Sequence, residues 1–95
     1  DDLLPAARAL AREIATNTAQ VSVALTRQML WRISAMDHPM EAHKVDSRAI
    51  YARGASADAK EGVMSFLEKR PANYPDRVSK DMPAFYPWWN ERKYE

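Results

Sequence analysis

Ser56-Ala57-Asp58-Ala59-Lys60-Glu61-Gly62-Val63-Met64-Ser65-Phe66-Leu67-Glu68-Lys69-Arg70-Pro71 carries both ends of a helix and the stripe between them. The Ser56 hydroxyl can accept one of the orphan N–H groups of a first turn, and Asp58 and Glu61 suit the positive end of the helix dipole. Lys69 and Arg70 suit the negative end. Pro71 then stops the helix, because a residue that precedes proline is pushed out of helical geometry. Ala59, Gly62, Val63, Phe66 and Leu67 recur at helical spacing, so they are the predicted buried stripe.

The same logic runs upstream. Gly54 is well placed to cap a preceding helix over residues 40–53, since glycine enters the left-handed conformation without a Cβ penalty. That helix opens after Asp37-His38-Pro39, with Asp37 as the expected cap and Pro39 in a first turn where its missing N–H costs nothing. Before it, residues 19–35 place Val21, Leu25, Met29 and Ile33 on one line, and Val23, Ala24, Leu30 and Trp31 widen the apolar arc. A helix apolar over so much of its circumference is expected to pack on more than one side. Asn17-Thr18 is a break. The first helix is predicted over residues 3–16, with Pro5 in its first turn, a stripe of Ala7, Leu10, Ala11 and Ile14, and Arg8, Arg12 and Glu13 on the wet side.

Downstream the composition changes. Four of the six prolines and six of the nine aromatic residues fall between Pro71 and Glu95. Prolines interrupt this stretch too often for a long helix, while Tyr74, Phe85, Tyr86, Trp88 and Trp89 are too apolar for an ordinary disordered end. It reads as an extended tail lying along another surface. With only two glycines and no sustained alternation of period two, the fold class is all-α: about four helices in a segment of residues 1–70, then a tail of residues 71–95.

Composition narrows the function. Lys plus Arg number 14 against 13 for Asp plus Glu, and the signs are interspersed, so no broad field draws the chain to nucleic acid or anionic lipid. The aromatic tail could stack bases, but stacking platforms sit in positive grooves, and here Asp76, Asp81 and Glu91 alternate with Arg77, Lys80 and Arg92. No apolar run approaches the roughly 20 residues of a membrane span, and Asp1-Asp2-Leu3-Leu4-Pro5 does not open a signal peptide. Cysteine is absent, which permits a reducing compartment, and a cytoplasmic location is the expectation.

Familiar chemistry is missing too. His38, Glu41 and His43 lie close in sequence, yet histidines five apart on a helix stand about 140° apart round the axis and do not share a face as zinc-binding i, i+4 pairs do. No metal site is expected. There is no cysteine nucleophile, nucleophile elbow, phosphate loop or S-x-x-K, so no residue is assigned a catalytic role. Met29, Trp31 and Met36 read as packing, and Arg8, Arg12, Arg27 and Arg32 as solvated faces.

The run from Ser56 to Pro71 nevertheless resembles the C-terminal signature of the enoyl-CoA hydratase/isomerase (crotonase) family, S-x-D-x-x-E-G followed by a Phe and E-K-R. The segments Ala9-Leu10-Ala11-Arg12-Glu13-Ile14-Ala15 and Val21-Ser22-Val23-Ala24-Leu25-Thr26-Arg27 look like the two helices that precede it, so the resemblance spans about Leu4 to Arg70. The tail from Arg77 through Trp89 looks like an extension found in some members only.

This resemblance implies a C-terminal oligomerisation segment that packs against subunits of its own kind in trimers or hexamers. The family's acid–base glutamates and oxyanion donors, which add water to a 2-enoyl-CoA, belong to a preceding spiral β/α domain; none is carried over to this chain. No cofactor is expected to be held tightly, and acyl-CoA is the implied substrate of the parent enzyme. Relatives also isomerise, hydrolyse or dehalogenate acyl-CoA, so hydration is the family default. The resemblance further implies that Phe66 and Lys69 meet the adenine and 3′-phosphate of coenzyme A from a neighbouring subunit. Their i, i+3 spacing would set ring and ammonium side by side on one helical surface. Against this, Phe66 could be plain core and Lys69 a solvated charge, and the whole chain could be an independent helical interaction module with no acyl-CoA role.

Overall fold

The computed structural model describes residues 1–94, and they are all-α as expected. Four helices follow one another: α1 (Leu3–Asn17), α2 (Gln20–Ile33), α3 (Pro39–Gly54) and α4 (Ala57–Leu67). Residues 68–94 form no helix or strand and run back over the helices already laid down.

The joints between helices are built by side chains that satisfy helix ends. Between α1 and α2, Thr18 Oγ1 donates to the Ile14 carbonyl and Gln20 Nε2 donates 2.9 Å to that of Ala15. At the start of α3 the cap is His38, not Asp37: its Nδ1 accepts from the Met40 amide at 3.0 Å. A ring nitrogen one residue closer to the proline reaches the free N–H, and the expectation for Asp37 is corrected. Gly54 does not cap α3 in the left-handed region either, since no glycine has positive φ. Instead Ser56 joins the two helices, its Oγ donating 2.6 Å to the Arg53 carbonyl and accepting 3.2 Å from the Ala59 amide. One hydroxyl thus closes α3 and opens α4.

The core is small. Val21 and Leu25 of α2 are fully buried and cluster with Ala49 of α3, while Val45, one helical turn before Ala49, is buried as well. Two helices cannot enclose a core between them, and the tail completes it: Met82, Phe85, Tyr86 and Trp88 pack on the Val21, Leu25 and Ala49 cluster, beside Met29. The tail lies along another surface as expected, and that surface belongs to this chain's own helices. Its prolines prevent a helix, its aromatic rings supply the area, and the uncovered flank of this chain's own α2–α3 pair receives them. The rings interlock edge to face, Trp88 on Trp89 at 4.8 Å and Tyr86 on Trp89 at 5.2 Å. On the outer side the Arg32 guanidinium lies 3.5 Å over the Trp89 ring.

Burial of α4 differs most from the sequence reading. Val63, Phe66 and Leu67, predicted to face inward, are exposed, and the buried residues of α4 are Asp58 and Ser65. An ion cluster turns the helix this way. Arg53 Nη2 donates to Asp58 Oδ2 at 2.6 Å and to Asp76 Oδ2 at 3.1 Å, while its Nε donates to Ser22 Oγ at 3.2 Å. The Asp76 amide returns 2.9 Å to Asp58 Oδ1. Charge pairing of this kind is available only if Asp58 points into the fold, and α4 rotates with it. The tail then lies against the inner face, with the Tyr74 ring at 3.6 Å from where a Cβ on Gly62 would stand.

Much apolar surface is left uncovered. The predicted stripe of α1 buries nothing, and Leu30, Trp31, Ile50 and Tyr51 are also exposed. The accessible surface is 7917 Å², against about 5,600 Å² for a compact monomer of this mass. The radius of gyration is 16.0 Å, where a compact chain of this length has roughly 12 Å. The fold is open, with α1 projecting from it.

Asp76→Ala should loosen the tail selectively. Arg53 keeps Asp58 as counter-ion, so the expected loss is about 1–3 kcal/mol and not the larger cost of an orphaned buried charge. Thermal melts should show that loss together with a red shift of tail tryptophan emission; an unchanged melt would remove the clamp from the stability of the fold.

Candidate functional site

The outer end of α4 is the place to examine, since it carries both residues that the sequence singled out. Phe66 is 82% exposed and its ring touches no core. The expectation that it belongs to a buried stripe fails for the reason given above, the inward rotation of Asp58. Val63, Met64 and Leu67 are exposed beside it, so the outer surface of α4 is apolar over its last two turns. A shallow groove of about 490 Å³ runs along the same side, between Ser56, Ala57, Lys60, Val63 and Met64.

Lys69 lies beyond the helix. α4 ends at Leu67 and not at Arg70, and Lys69 has φ of 53°, the left-handed region. The Glu68 amide makes a last helical bond of 2.9 Å to the Met64 carbonyl, and the Arg70 amide donates 3.0 Å to that of Ser65, the closure that a left-handed residue after a helix makes possible. Phe66 and Lys69 are therefore not i, i+3 neighbours on one helical surface, as the spacing suggested. They stand on either side of a tight turn, linked by the Lys69 amide donating 3.2 Å to the Phe66 carbonyl. Both remain exposed.

The turn is pinned from below. Arg70 Nη1 and Nη2 donate to Glu61 Oε1 and Oε2 at 2.6 and 3.0 Å, a two-bond fork, and Arg70 Nε donates 2.6 Å to Glu68 Oε2. The Asn73 amide donates 2.9 Å to Glu61 Oε1. Bonds from Arg70 and from that amide hold the Glu61 carboxyl down at about 2, so it is ionised at any ordinary pH. Arg70 is pushed above the usual guanidinium range by Glu61 and then Glu68. Sequence reading took Glu61 and Arg70 only as complements to the helix dipole. Their opposite charge, nine residues apart across a helix stop, was the available signal of a fork.

No group of three or more His, Cys, Asp or Glu able to hold a metal occurs among the described residues. His38 is occupied as a cap, and His43 Nδ1 lies 3.2 Å from Asp46. Among the described residues no helix is long and apolar enough to cross a membrane.

No family model matches the chain. Three enoyl-CoA hydratases of Alternaria alternata do: AKT3-2 is 48% identical over 75 residues, AFT3-1 is 47% identical and ACTT3 is 45% identical. Over most of its length the chain is thus similar to proteins named enoyl-CoA hydratase. Each match covers 79% of the chain but 25% of the relative, so the chain spans about a quarter of the length of the curated relatives it matches. The chain exposes Phe66 and carries a lysine where glycine is the favoured residue.

That lysine is costly. A side chain in the left-handed region costs roughly 1–2 kcal/mol, which glycine avoids at some expense in unfolded-chain entropy. Lys69→Gly should therefore stabilise the chain by about 0.5–1 kcal/mol, raising Tm by roughly 2–8 °C in a calorimetric melt. A lowered Tm would show that the lysine side chain itself holds the turn.

Proposed function

We propose that the chain is the C-terminal helical segment of an enoyl-CoA hydratase-like subunit, which adds water across the double bond of a 2-enoyl-CoA. In this reading residues 1–70 serve assembly with other subunits into trimers or hexamers, and residues 71–95 are the tail that braces them. Phe66 and Lys69 contribute to the coenzyme A site of a neighbouring subunit, the ring toward the adenine and the ammonium toward the 3′-phosphate. Acyl-CoA is the substrate of the whole subunit, whose acid–base and oxyanion groups lie outside these residues. A cytoplasmic location belongs to the same proposal, in keeping with a cysteine-free composition.

One observation carries the coenzyme A assignment. Lys69 keeps a side chain at a backbone position that favours glycine, next to an aromatic ring left in solvent. Strained residues of this type persist where the side chain has work to do. Kinship with the Alternaria hydratases supplies the ligand class. The open shape supports assembly: an excess of about 2,300 Å² over a compact monomer is in the range that obligate interfaces bury.

Two measurements test the proposal. In sedimentation at micromolar concentration the chain should run as trimers, hexamers or larger species, because its uncovered apolar area exceeds what monomers expose. A well-behaved monomer would favour an independent interaction module instead. In the complete subunit, Lys69→Ala should raise KM for acyl-CoA by roughly three- to tenfold and leave kcat nearly unchanged, since a contact remote from the reacting carbons is equal in ground and transition states. An acyl-pantetheine substrate, which has no adenosine phosphate, should show no penalty. Equal penalties for both substrates, or none for either, would leave Lys69 a surface charge.

A further inference from the structure

The Lys69 backbone is held from both sides in sequence by charged neighbours, and both lead to the same arginine. Arg70 bonds Glu68 on one side of Lys69 and reaches back to Glu61, a full two turns earlier on α4. Glu61 in turn accepts the Asn73 amide, so the segment from Glu68 to Asn73 is tied to the helix body at its start and its end. A left-handed lysine between two free residues would relax, because the right-handed and extended regions are lower in energy for any residue with a Cβ. The fork removes that freedom.

From this geometry we infer that Glu61 and Arg70 are positioning residues that present Lys69 to the coenzyme A phosphate. The inference rests on the proposed coenzyme A contact of Lys69 and adds the residues that set its aim. Neither group touches the ligand: the Arg70 guanidinium is committed to two carboxylates, and Glu61 would repel a phosphate were it not already covered by Arg70. Their effect passes through the backbone of the turn. The Coulomb side of the arrangement is consistent with this division, since Glu61, Glu68 and Arg70 together leave one negative charge below the turn, and Lys69 restores neutrality without pairing to it.

The test is a double-mutant cycle in the complete, assembled subunit with acyl-CoA and acyl-pantetheine substrates. Glu61→Gln and Arg70→Ala should each raise KM for acyl-CoA roughly two- to fivefold, less than Lys69→Ala, with kcat held and no penalty on acyl-pantetheine. Added to Lys69→Ala, Glu61→Gln should cost nothing further, because a positioning residue has no effect once the group it positions is gone. In the chain itself, amide exchange of Arg70 and Asn73 should accelerate in Glu61→Gln while α2 and α3 stay protected. A KM penalty from Lys69→Ala with none from Glu61→Gln or Arg70→Ala would overturn the inference and leave the coenzyme A contact standing. Additive penalties, or penalties shared by acyl-pantetheine, would make the fork merely structural. No penalty from Lys69→Ala would remove the contact and the positioning role with it.

Discussion

The fold depends on Arg53 being shared. Its guanidinium, at the end of α3, meets the hydroxyl of Ser22 from α2, the carboxylate of Asp58 from α4 and that of Asp76 from the tail. Three other segments converge on its Nε and Nη2 donors. Asp58 is 3% exposed, and a buried carboxylate costs several kcal/mol unless its lone pairs are satisfied. Here they are satisfied: Asp58 also accepts the Asp76 amide, and Asp76 accepts the Asp58 amide at 3.4 Å. Such clusters contribute little net stability. What they select is geometry. Apolar burial of the partly buried Phe85, Tyr86 and Trp88 supplies the larger free energy, each a share of the roughly 1.5–3 kcal/mol that a fully buried side chain contributes. That burial alone would accept several paths for the tail, and the clamp chooses among them.

Choosing the tail's path also decides what the outside looks like. With Asp58 turned inward, α4 presents Val63, Phe66 and Leu67 to solvent, and α3 presents Ile50 and Tyr51. The interior is thus unusually polar at one end while the exterior is unusually apolar. A free-standing domain of about 95 residues would gain by reversing that arrangement, since each exposed ring or branched side chain forgoes transfer free energy. The arrangement supports the proposal that these outer faces meet more protein.

The sequence made the helices legible and the packing only partly so. Periodicity located all four helices, the first three to within a residue or two and the fourth except for its last turn, and Ser56 was recognised as a cap because a hydroxyl ahead of an acidic first turn has few other uses. The inward line Val21, Leu25 of α2 was also correct. The α4 stripe was not, because hydrophobic periodicity assumes that apolar residues face the chain's own core, and here a carboxylate needed by Arg53 took that side. The surface that receives the tail was not legible either. The tail's rings announced burial, but no local pattern states which surface will bury them. Phe66 and Lys69 were legible through resemblance alone, while the left-handed turn between them was hidden: Lys69 gives no sign of positive φ, and glycine would have.

That last mismatch joins the fold to the site. A helix that must stop before Pro71 can fray, cap with glycine, or fold into a left-handed residue held by outside bonds. Fraying would leave Lys69 mobile, and glycine would leave no side chain. The third course is taken, and it needs an anchor strong enough to offset about 1–2 kcal/mol of backbone strain. A charged two-bond fork is worth more than a single neutral hydrogen bond, and Glu61–Arg70 has the Glu68 and Asn73 contacts to share the load. The half-exposed pair is screened by water, so its strength lies in the number of bonds converging on one turn. Removing any one bond weakens the hold on Lys69 before it weakens the helix. The anchor and the clamp therefore serve separate ends: Arg53 determines which face of α4 is outside, and Arg70 determines what the tip of that face offers.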